Sequence, residues 1–186
     1  MSQRVAWATA ALVDGIPDQL VPSERYRLRR RLTDVSRSVE TIRRWMSRRA
    51  DGTSRYRVGE RDITALLGRP DVVATGISAA ADYGIGLGAG ASADAYVTND
   101  ARDRLIRDHF LIASGQGNLT LRVVDEGWHL VTMRPGEYRQ ITPRLIVAVD
   151  LAEDTDVRTR NAGRELISDA LQSWGRVNDA ERYAPR

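Results

Sequence analysis

The stretch from Val35 to Arg49 constrains the fold of this chain most, because two different faces repeat along it at helical spacing. Apolar side chains recur at intervals of three and four residues, which places them in one stripe on a helix. Arginine and threonine recur at the same spacing on another face. The sequence therefore predicts a helix that packs on a small core and presents guanidinium groups on its other side. The apolar stripe is Val35, Val39, Ile42 and Met46, and the polar face is Arg37, Thr41, Arg44 and Arg48.

The arginine-rich face of this helix indicates recognition of nucleic acid. A guanidinium group carries a planar fork of donors, which can read a guanine edge or hold a phosphate. Ser36 is the expected N-cap, since its hydroxyl can accept a hydrogen bond from a free N–H of the first turn. The alternative is a solvated, arginine-rich surface helix with no ligand. The DNA-contacting residues predicted on this segment are Arg37, Ser38, Thr41, Arg44 and Arg48.

The segments on either side of this stretch predict a winged helix-turn-helix domain over residues 1–69. Helical patterns cover residues 2–13 and about 23–33, with a turn at Thr33 and Asp34. After the helix, residues 55–58 alternate charged and apolar side chains, which suits a short hairpin or wing. Arg55 and Arg57 would then face a phosphate backbone, and such contacts position a protein without reading sequence.

Charge divides the chain at about the same place. Residues 1–69 hold 15 arginines and eight acidic residues, whereas residues 70–186 hold 13 arginines and 17 acidic residues. Such asymmetry favours one end that faces nucleic acid and a second end with another task. The alternative is a chance distribution of surface charge. Arginine density falls at Arg69 and Pro70, which we take as the boundary between the two domains.

The second part, residues 70–186, has the mixed pattern of an α+β domain. Alternation from Leu119 to Val123 predicts a half-buried strand, and Trp128–Met133 is its expected hairpin partner. Residues 156–174 form a strongly amphipathic pattern that predicts a long helix. The predicted fold class is therefore α+β, with a winged helix-turn-helix followed by an α+β C-terminal domain.

Composition excludes several kinds of chemistry. The chain has no cysteine, so it has neither disulfides nor thiolate zinc ligands. All 28 basic residues are arginine, which removes a Schiff-base lysine and the lysine of a phosphate-binding loop. No apolar run of 18 residues occurs, so no membrane-spanning helix is predicted and the protein is expected to be cytoplasmic.

The remaining candidate sites are weak. The segment from Gly76 to Ala80 lacks the second glycine of a nucleophile elbow, and the run from Gly84 to Gly90 lacks the spacing of a dinucleotide-binding loop. His109 and His129 have no metal-ligand spacing. An acidic cluster could hold Mg²⁺ but also suits the start of a helix; it comprises Asp150, Glu153, Asp154 and Asp156. We therefore expect no enzyme activity, no cofactor and no metal.

Several segments of the second half resemble AbiEi-family antitoxins of bacterial type IV toxin–antitoxin systems. The similarity covers roughly residues 68–171 and is strongest around Ala148–Leu151 and Ala162–Leu166. It also includes GISAAADYG from Gly76, AYV from Ala95 and LTLRVV from Leu119. The N-terminal region is longer before its recognition helix than a compact winged helix would be, and the usual Gly-x-Tyr strand after the wing is not evident.

The resemblance implies an N-terminal winged helix that represses its own operon and a C-terminal domain that counters a nucleotidyltransferase-like toxin. The expected partners are operator DNA with repeats and the cognate toxin, with Arg158, Arg160 and Arg164 as candidate toxin contacts. A solvated helix face would explain these three arginines equally well. The alternatives are a ligand-responsive repressor without a toxin, an Mg²⁺-dependent enzyme on nucleic acid that uses Asp150, and a module that binds an acidic protein.

Overall fold

The computed structural model describes residues 1–35, 38–88 and 91–183, and within this part of the chain there are nine α-helices and one seven-stranded sheet. The predicted α+β class is confirmed. Two short 3₁₀ turns, Met46–Arg48 and Ala81–Tyr83, extend α3 and α5. The helices are α1 Gln3–Val13, α2 Pro22–Val35, α3 Val39–Trp45, α4 Glu60–Leu67, α5 Gly76–Ala79, α6 Asn99–Asp108, α7 Trp128–Thr132, α8 Arg144–Ala152 and α9 Val157–Tyr183.

The strands form one mixed sheet in the order β4-β1-β5-β3-β2-β7-β6. β1 pairs antiparallel with β4 and β5, and β3 pairs parallel with β5. No described helix is long and apolar enough to cross a bilayer. The strands are β1 Gly52–Arg57, β2 Val73–Ala74, β3 Ala93–Val97, β4 Ile112–Ala113, β5 Leu119–Val123, β6 Arg134–Pro135 and β7 Gln140–Ile141.

β1 does not form the local hairpin that a wing requires. Its partners are β4 and β5, which lie far along the chain, and Gly52 is paired with Val123. The predicted boundary at Arg69–Pro70 accordingly does not separate two cores, since β1 and β5 share one sheet and one apolar cluster. As a division of functions, residues 1–69 and 70–186 stay a prediction.

The prediction of a strand over Trp128–Met133 is wrong, because residues 128–132 form the helix α7. Gly127 has a φ of 69° and begins this helix in the left-handed region, which glycine adopts without steric cost. His129 and Thr132 are buried on the same side, three residues apart. The expected strand at 119–123 and the long helix from about residue 156 are both confirmed.

The two faces of the sheet differ in chemistry. Paired residues of neighbouring strands point to the same face, so Tyr96, Arg122 and Thr53 share one face across β3, β5 and β1. Two residues further along, Asp94, Thr120 and Arg55 form the next row of that face. This polar face carries a charged cluster where α1 and α8 cover it. It is exposed at Arg55 and Arg57, towards the edge strand β4.

Close packing of α8 on α9 leads to a prediction about two glycines of one helix. An added Cβ at Gly163 would approach the backbone of α8, including the Ala148 carbonyl oxygen at 2.7 Å. At Gly175 it would meet no described atom within 4 Å. We expect Gly163→Ala to lower the free energy of unfolding by about 1–3 kcal/mol through overpacking. Gly175→Ala should raise it by roughly 0.5–1 kcal/mol, since alanine is the better helix former.

Urea denaturation of both variants measures the difference directly. The gain in helix propensity is common to the two substitutions, so the contrast between them reports packing at the α8–α9 contact. Equal free energies of unfolding for the two variants would contradict the close approach of these helices.

Candidate nucleic-acid interface

The candidate recognition helix α3 begins at Val39, later than the sequence pattern predicts. Ser38 is its N-cap: the Ser38 hydroxyl accepts a hydrogen bond from the Thr41 backbone N–H at 3.2 Å. The Thr41 hydroxyl also donates to Ser38 Oγ, at 2.9 Å. Val35 is the last residue of α2, so the prediction of one helix from Val35 to Arg49 is wrong at its start. The expected Ser36 cap and Arg37 lie outside the described residues.

The two faces predicted for α3 are present from Val39 onwards. Ile42 and Met46 have no exposed surface, and Val39 packs on the same apolar cluster. Arg44 and Arg48 are exposed, and neither is paired with an acid among the described residues. This part of the prediction, an apolar side and an arginine side, is confirmed.

The residues predicted to contact DNA therefore fall into two groups, those with free side chains and those whose side chains are already hydrogen-bonded. Arg44 and Arg48 are available at the surface, whereas the hydroxyls of Ser38 and Thr41 are engaged with each other and with the first turn of α3. Arg43, on the same short helix, is bound to Glu40 at 3.0 Å. Two free guanidinium groups remain on α3 and its 3₁₀ extension.

Helix α2 adds basic surface that the prediction did not single out. Arg30 and Arg31 are exposed and have no acidic partner among the described residues. By contrast, Arg25 is held by Asp18 at 2.8 Å. The run of three consecutive arginines at 29–31 was the available signal, although sequence alone does not show which of them face solvent.

Arg55 and Arg57 are exposed, as expected, but they stand on a sheet rather than on a wing. Both lie on the polar face of β1, two and four residues after Thr53, which is paired with Arg122 on that face. Neither has an ion-pair partner among the described residues. Both guanidinium groups are therefore free to bind an anionic ligand at the open end of this face.

A buried cluster of charges anchors the end of the candidate recognition segment, residues 39–49, to the sheet. Arg49, directly after the 3₁₀ turn, donates from Nε to Asp150 Oδ1 at 2.8 Å and also binds the Glu153 carboxylate. The side chains of Arg49 and Asp150 are 5% and 0% exposed, so this ion pair is shielded from water. Arg49 and Asp150 are 101 residues apart in the sequence, and their contact fixes the turn on α8.

Residues next to Asp150 on and beside the polar sheet face bind its carboxylate oxygens as well. Thr75 Oγ1 donates to Oδ2 at 2.5 Å, and Tyr96 donates to Oδ1 at 3.2 Å. Arg122 Nε lies 3.2 Å from Oδ1 and links the cluster to Asp94. Burial raises the pKa of Asp94, and the positive charge of Arg122 opposes that rise. The Asp150 carboxylate thus pairs with two guanidinium groups, those of Arg49 and Arg122, and has a structural role.

An aromatic pair closes the cluster from the side of α1. Trp7 has no exposed surface, and its indole nitrogen donates to the Arg49 carbonyl oxygen at 2.9 Å. Its ring meets Tyr96 edge-on, with the centroids 4.9 Å apart. The recognition segment is therefore held at Arg49 by a side-chain ion pair and by a backbone hydrogen bond.

The acidic and histidine candidates do not converge on one site in the described chain. Asp150 is buried, whereas Asp156 caps α9 by accepting from the Thr159 backbone N–H at 2.8 Å. His129 is fully buried beside Trp7 and Tyr96, and burial lowers its pKa to about 4. No group of three described acidic or histidine side chains is placed to hold a metal ion.

The candidate toxin contacts on α9 have different surroundings. Arg158 is exposed and donates to the Gly86 carbonyl oxygen at 3.4 Å. Arg160 is half-buried and donates to the Asp154 carbonyl oxygen, which fastens the start of the helix. Arg164 is exposed and lies 3.7 Å from Glu40 of α3. Arg158 and Arg164 are thus accessible to a partner, whereas Arg160 stabilises the start of α9.

Comparisons with protein families, with curated proteins and with solved structures found no match to this chain.

Proposed function

We propose that this protein is a DNA-binding repressor that also acts as the antitoxin of a toxin–antitoxin operon. The observation that carries the DNA-binding part is the segment of α3 and its 3₁₀ extension, which buries Ile42 and Met46 while exposing Arg44 and Arg48 without acidic partners among the described residues. Only residues 36–38 separate α3 from α2, a connection of the length found in a helix-turn-helix. In this proposal α2 and α3 form that motif, and β1 takes the place in the chain that a wing has.

Recognition would divide between reading and positioning. Arg44 and Arg48 would enter the major groove, where an arginine fork pairs with the O6 and N7 acceptors of guanine. Arg30 and Arg31 of α2, together with Arg55 or Arg57, would lie near phosphates and set the register of the protein on the duplex. Two protomers would bind operator repeats about one helical turn apart, since the half-site spacing must match the spacing of the two reading helices.

The buried cluster gives the reading helix a rigid base. Arg49 follows Arg48 directly and is bound to Asp150, so this contact ties the end of the recognition segment to α8. A reading side chain has to be held within a fraction of an ångström to distinguish bases. The same link joins the DNA-facing segment to the part of the chain that would counter the toxin.

The antitoxin part of the proposal rests on the resemblance of residues 68–171 to AbiEi-family antitoxins. It assigns neutralisation of a nucleotidyltransferase-like toxin to the α+β portion, with the exposed Arg158 and Arg164 as candidate contacts. No cofactor or metal is part of this proposal, and the protein is placed in the cytoplasm with its operator and toxin.

A growth-rescue assay with full-length variants tests this proposal. The neighbouring open reading frame is induced, with and without this protein supplied from an unrelated promoter. We expect wild type to rescue growth, and Arg44→Ala/Arg48→Ala to rescue equally well while losing repression of a reporter fused to the native promoter. The full chain is needed because a fragment beginning at residue 70 would lack β1, the partner of β5. A neighbour that is harmless on its own would contradict the antitoxin role.

One further observation favours a second candidate function, a ligand-responsive repressor without a toxin. A groove of about 720 Å³ lies between the segment 84–87 and the start of α9, and is lined by Arg158, Asn161 and Glu165 among others. This volume is within the range of small-molecule sites. Release of operator DNA by a metabolite, abolished by Asn161→Leu, would support this candidate over the antitoxin.

A further inference from the structure

Phe110 directly follows the C-cap of α6, where the Leu111 backbone N–H donates to the Ile106 carbonyl oxygen, in a left-handed position that glycine usually occupies. It is the only phenylalanine of the chain, yet it is 85% exposed. Its φ of 50° lies in the left-handed region, which is unfavourable for a bulky residue. An apolar ring held in water on a strained backbone is a reason to look for a ligand.

Phe110 comes two residues before the first residue of β4, an edge strand of the sheet that brings apolar and basic side chains together. Two residues later, Ile112 of β4 is 65% exposed and is paired with Arg57 of β1. Directly paired residues of antiparallel strands have neighbouring side chains on one face, so Ile112 and Arg57 lie side by side. Arg55 follows on the same face, and its carbonyl oxygen accepts from the Ser114 N–H at 3.0 Å, which continues the contact between the two strands.

The positive charge of this edge comes from arginines that form no ion pair among the described residues. Arg55 and Arg57 have no acidic partner among the described residues, and Arg107, three residues before Phe110, is also exposed and unpaired there. Exposed aromatic and aliphatic side chains beside free arginines on a sheet surface are the elements with which proteins bind unpaired nucleotides.

We propose that Phe110, Ile112, Arg55 and Arg57 form a shelf that binds single-stranded nucleic acid. A base would stack on the Phe110 ring, and the adjacent phosphates would contact the two guanidinium groups. A duplex does not fit this chemistry, because its base faces are already stacked within the helix. A second copy of the chain is a poor occupant, since β4 offers only two residues for pairing and the arginines of the two copies would repel each other. The shelf shares Arg55 and Arg57 with the proposed duplex contacts, whereas Phe110 and Ile112 take no part in duplex reading by α3.

Fluorescence anisotropy with a labelled oligo(dT) of about 15 nucleotides tests the shelf, since sites of this kind span roughly 4–16 nucleotides. Phe110→Ala should weaken binding by roughly 5- to 150-fold, which corresponds to the loss of one base–aromatic stack. Phe110→Trp should retain binding because it keeps a stacking surface. Tyr138→Ala is the matched control, since Tyr138 is another aromatic residue with 79% exposure and does not belong to the shelf. An oligo(U) of equal length shows whether RNA or DNA is preferred.

The salt dependence of oligonucleotide binding tests Arg55 and Arg57 separately from Phe110. Arg55→Gln/Arg57→Gln should reduce the slope of log K against log salt by about 1.4, or 0.7 for each lost phosphate contact on a single strand. Arg61→Gln, which removes an exposed arginine of α4, should change the slope by less than half of that amount. Phe110→Ala should leave duplex binding as in wild type, so the shelf and the reading helix can fail separately.

Three results would overturn the proposal. They are the absence of oligo(dT) binding by wild type, Phe110→Ala binding as well as wild type, and equal losses in Phe110→Ala and Tyr138→Ala. Sedimentation of wild type and Phe110→Ala provides the remaining check: a wild-type dimer that becomes monomeric in the variant would assign the shelf to contact between copies.

Discussion

Replacing Asp150 by alanine is expected to lower the free energy of unfolding by about 3–5 kcal/mol, the usual effect of breaking a buried ion pair by removing one partner. The substitution removes the carboxylate that serves both Arg49 and Arg122, whose side chains are 5% and 11% exposed. Their charges would then be buried with only Glu153 and Asp94 to compensate them. The hydroxyls of Thr75 and Tyr96 would lose their acceptor as well.

Urea denaturation compares this variant with two others. Asp169→Ala removes an exposed carboxylate from α9 and should change the free energy of unfolding by no more than about 0.5 kcal/mol. Arg49→Met should be less destabilising than Asp150→Ala, because Asp150 would keep Arg122 as its partner. A loss below about 1 kcal/mol in Asp150→Ala would show that this cluster does not hold the fold together.

The second large effect is expected for the Arg44→Ala/Arg48→Ala variant on duplex DNA. Each arginine that contacts a base contributes about 1–3 kcal/mol, so the pair should weaken operator binding by roughly 2–6 kcal/mol in total. Arg44 on α3 and Arg48 in the 3₁₀ turn belong to one short segment, so the two effects need not add exactly as the single variants suggest. Because both side chains are exposed, the free energy of unfolding should stay within about 0.5 kcal/mol of wild type.

The control for this variant removes the same net charge elsewhere. Arg61→Ala/Arg176→Ala deletes two exposed arginines that lie on α4 and α9. If Arg44 and Arg48 read bases, their loss relaxes specificity, whereas loss of phosphate contacts weakens binding to all sequences about equally. Operator affinity that is unchanged in Arg44→Ala/Arg48→Ala, or reduced equally in the control, would exclude α3 as the reader.

Local patterns in the sequence predicted most of the helices, although not α7, and they predicted the strand pairing poorly. The stripe of Val39, Ile42 and Met46 is a property of one helix, and it is buried as its spacing indicates. Residues 55–58 alternate as a strand should, but their alternation contains no information about partners that lie far along the chain. The predicted start of α3 is too early: Ser36 is its expected N-cap, but Ser38, which has the same capping preference by residue type, is the N-cap in the structure.

The charged cluster illustrates what could not be predicted. Asp150 was assigned to an acidic group before α9, since Glu153, Asp154 and Asp156 follow it closely in the sequence. Its actual partners are Arg49, Arg122 and Tyr96, which come from three other segments of the fold. Phe110 was missed for a related reason, because a single phenylalanine in sequence is most simply a core residue.

The most direct test of DNA reading by this protein is a competition titration with wild type. A labelled duplex from the region upstream of its own gene is bound at physiological salt and competed with the same unlabelled duplex or with a shuffled duplex of equal length and composition. A sequence-reading α3 predicts that the native duplex competes at least about 10³-fold better than the shuffled one. Equal competition by the two duplexes would contradict it, and would leave the arginines of α3 as a surface without sequence preference.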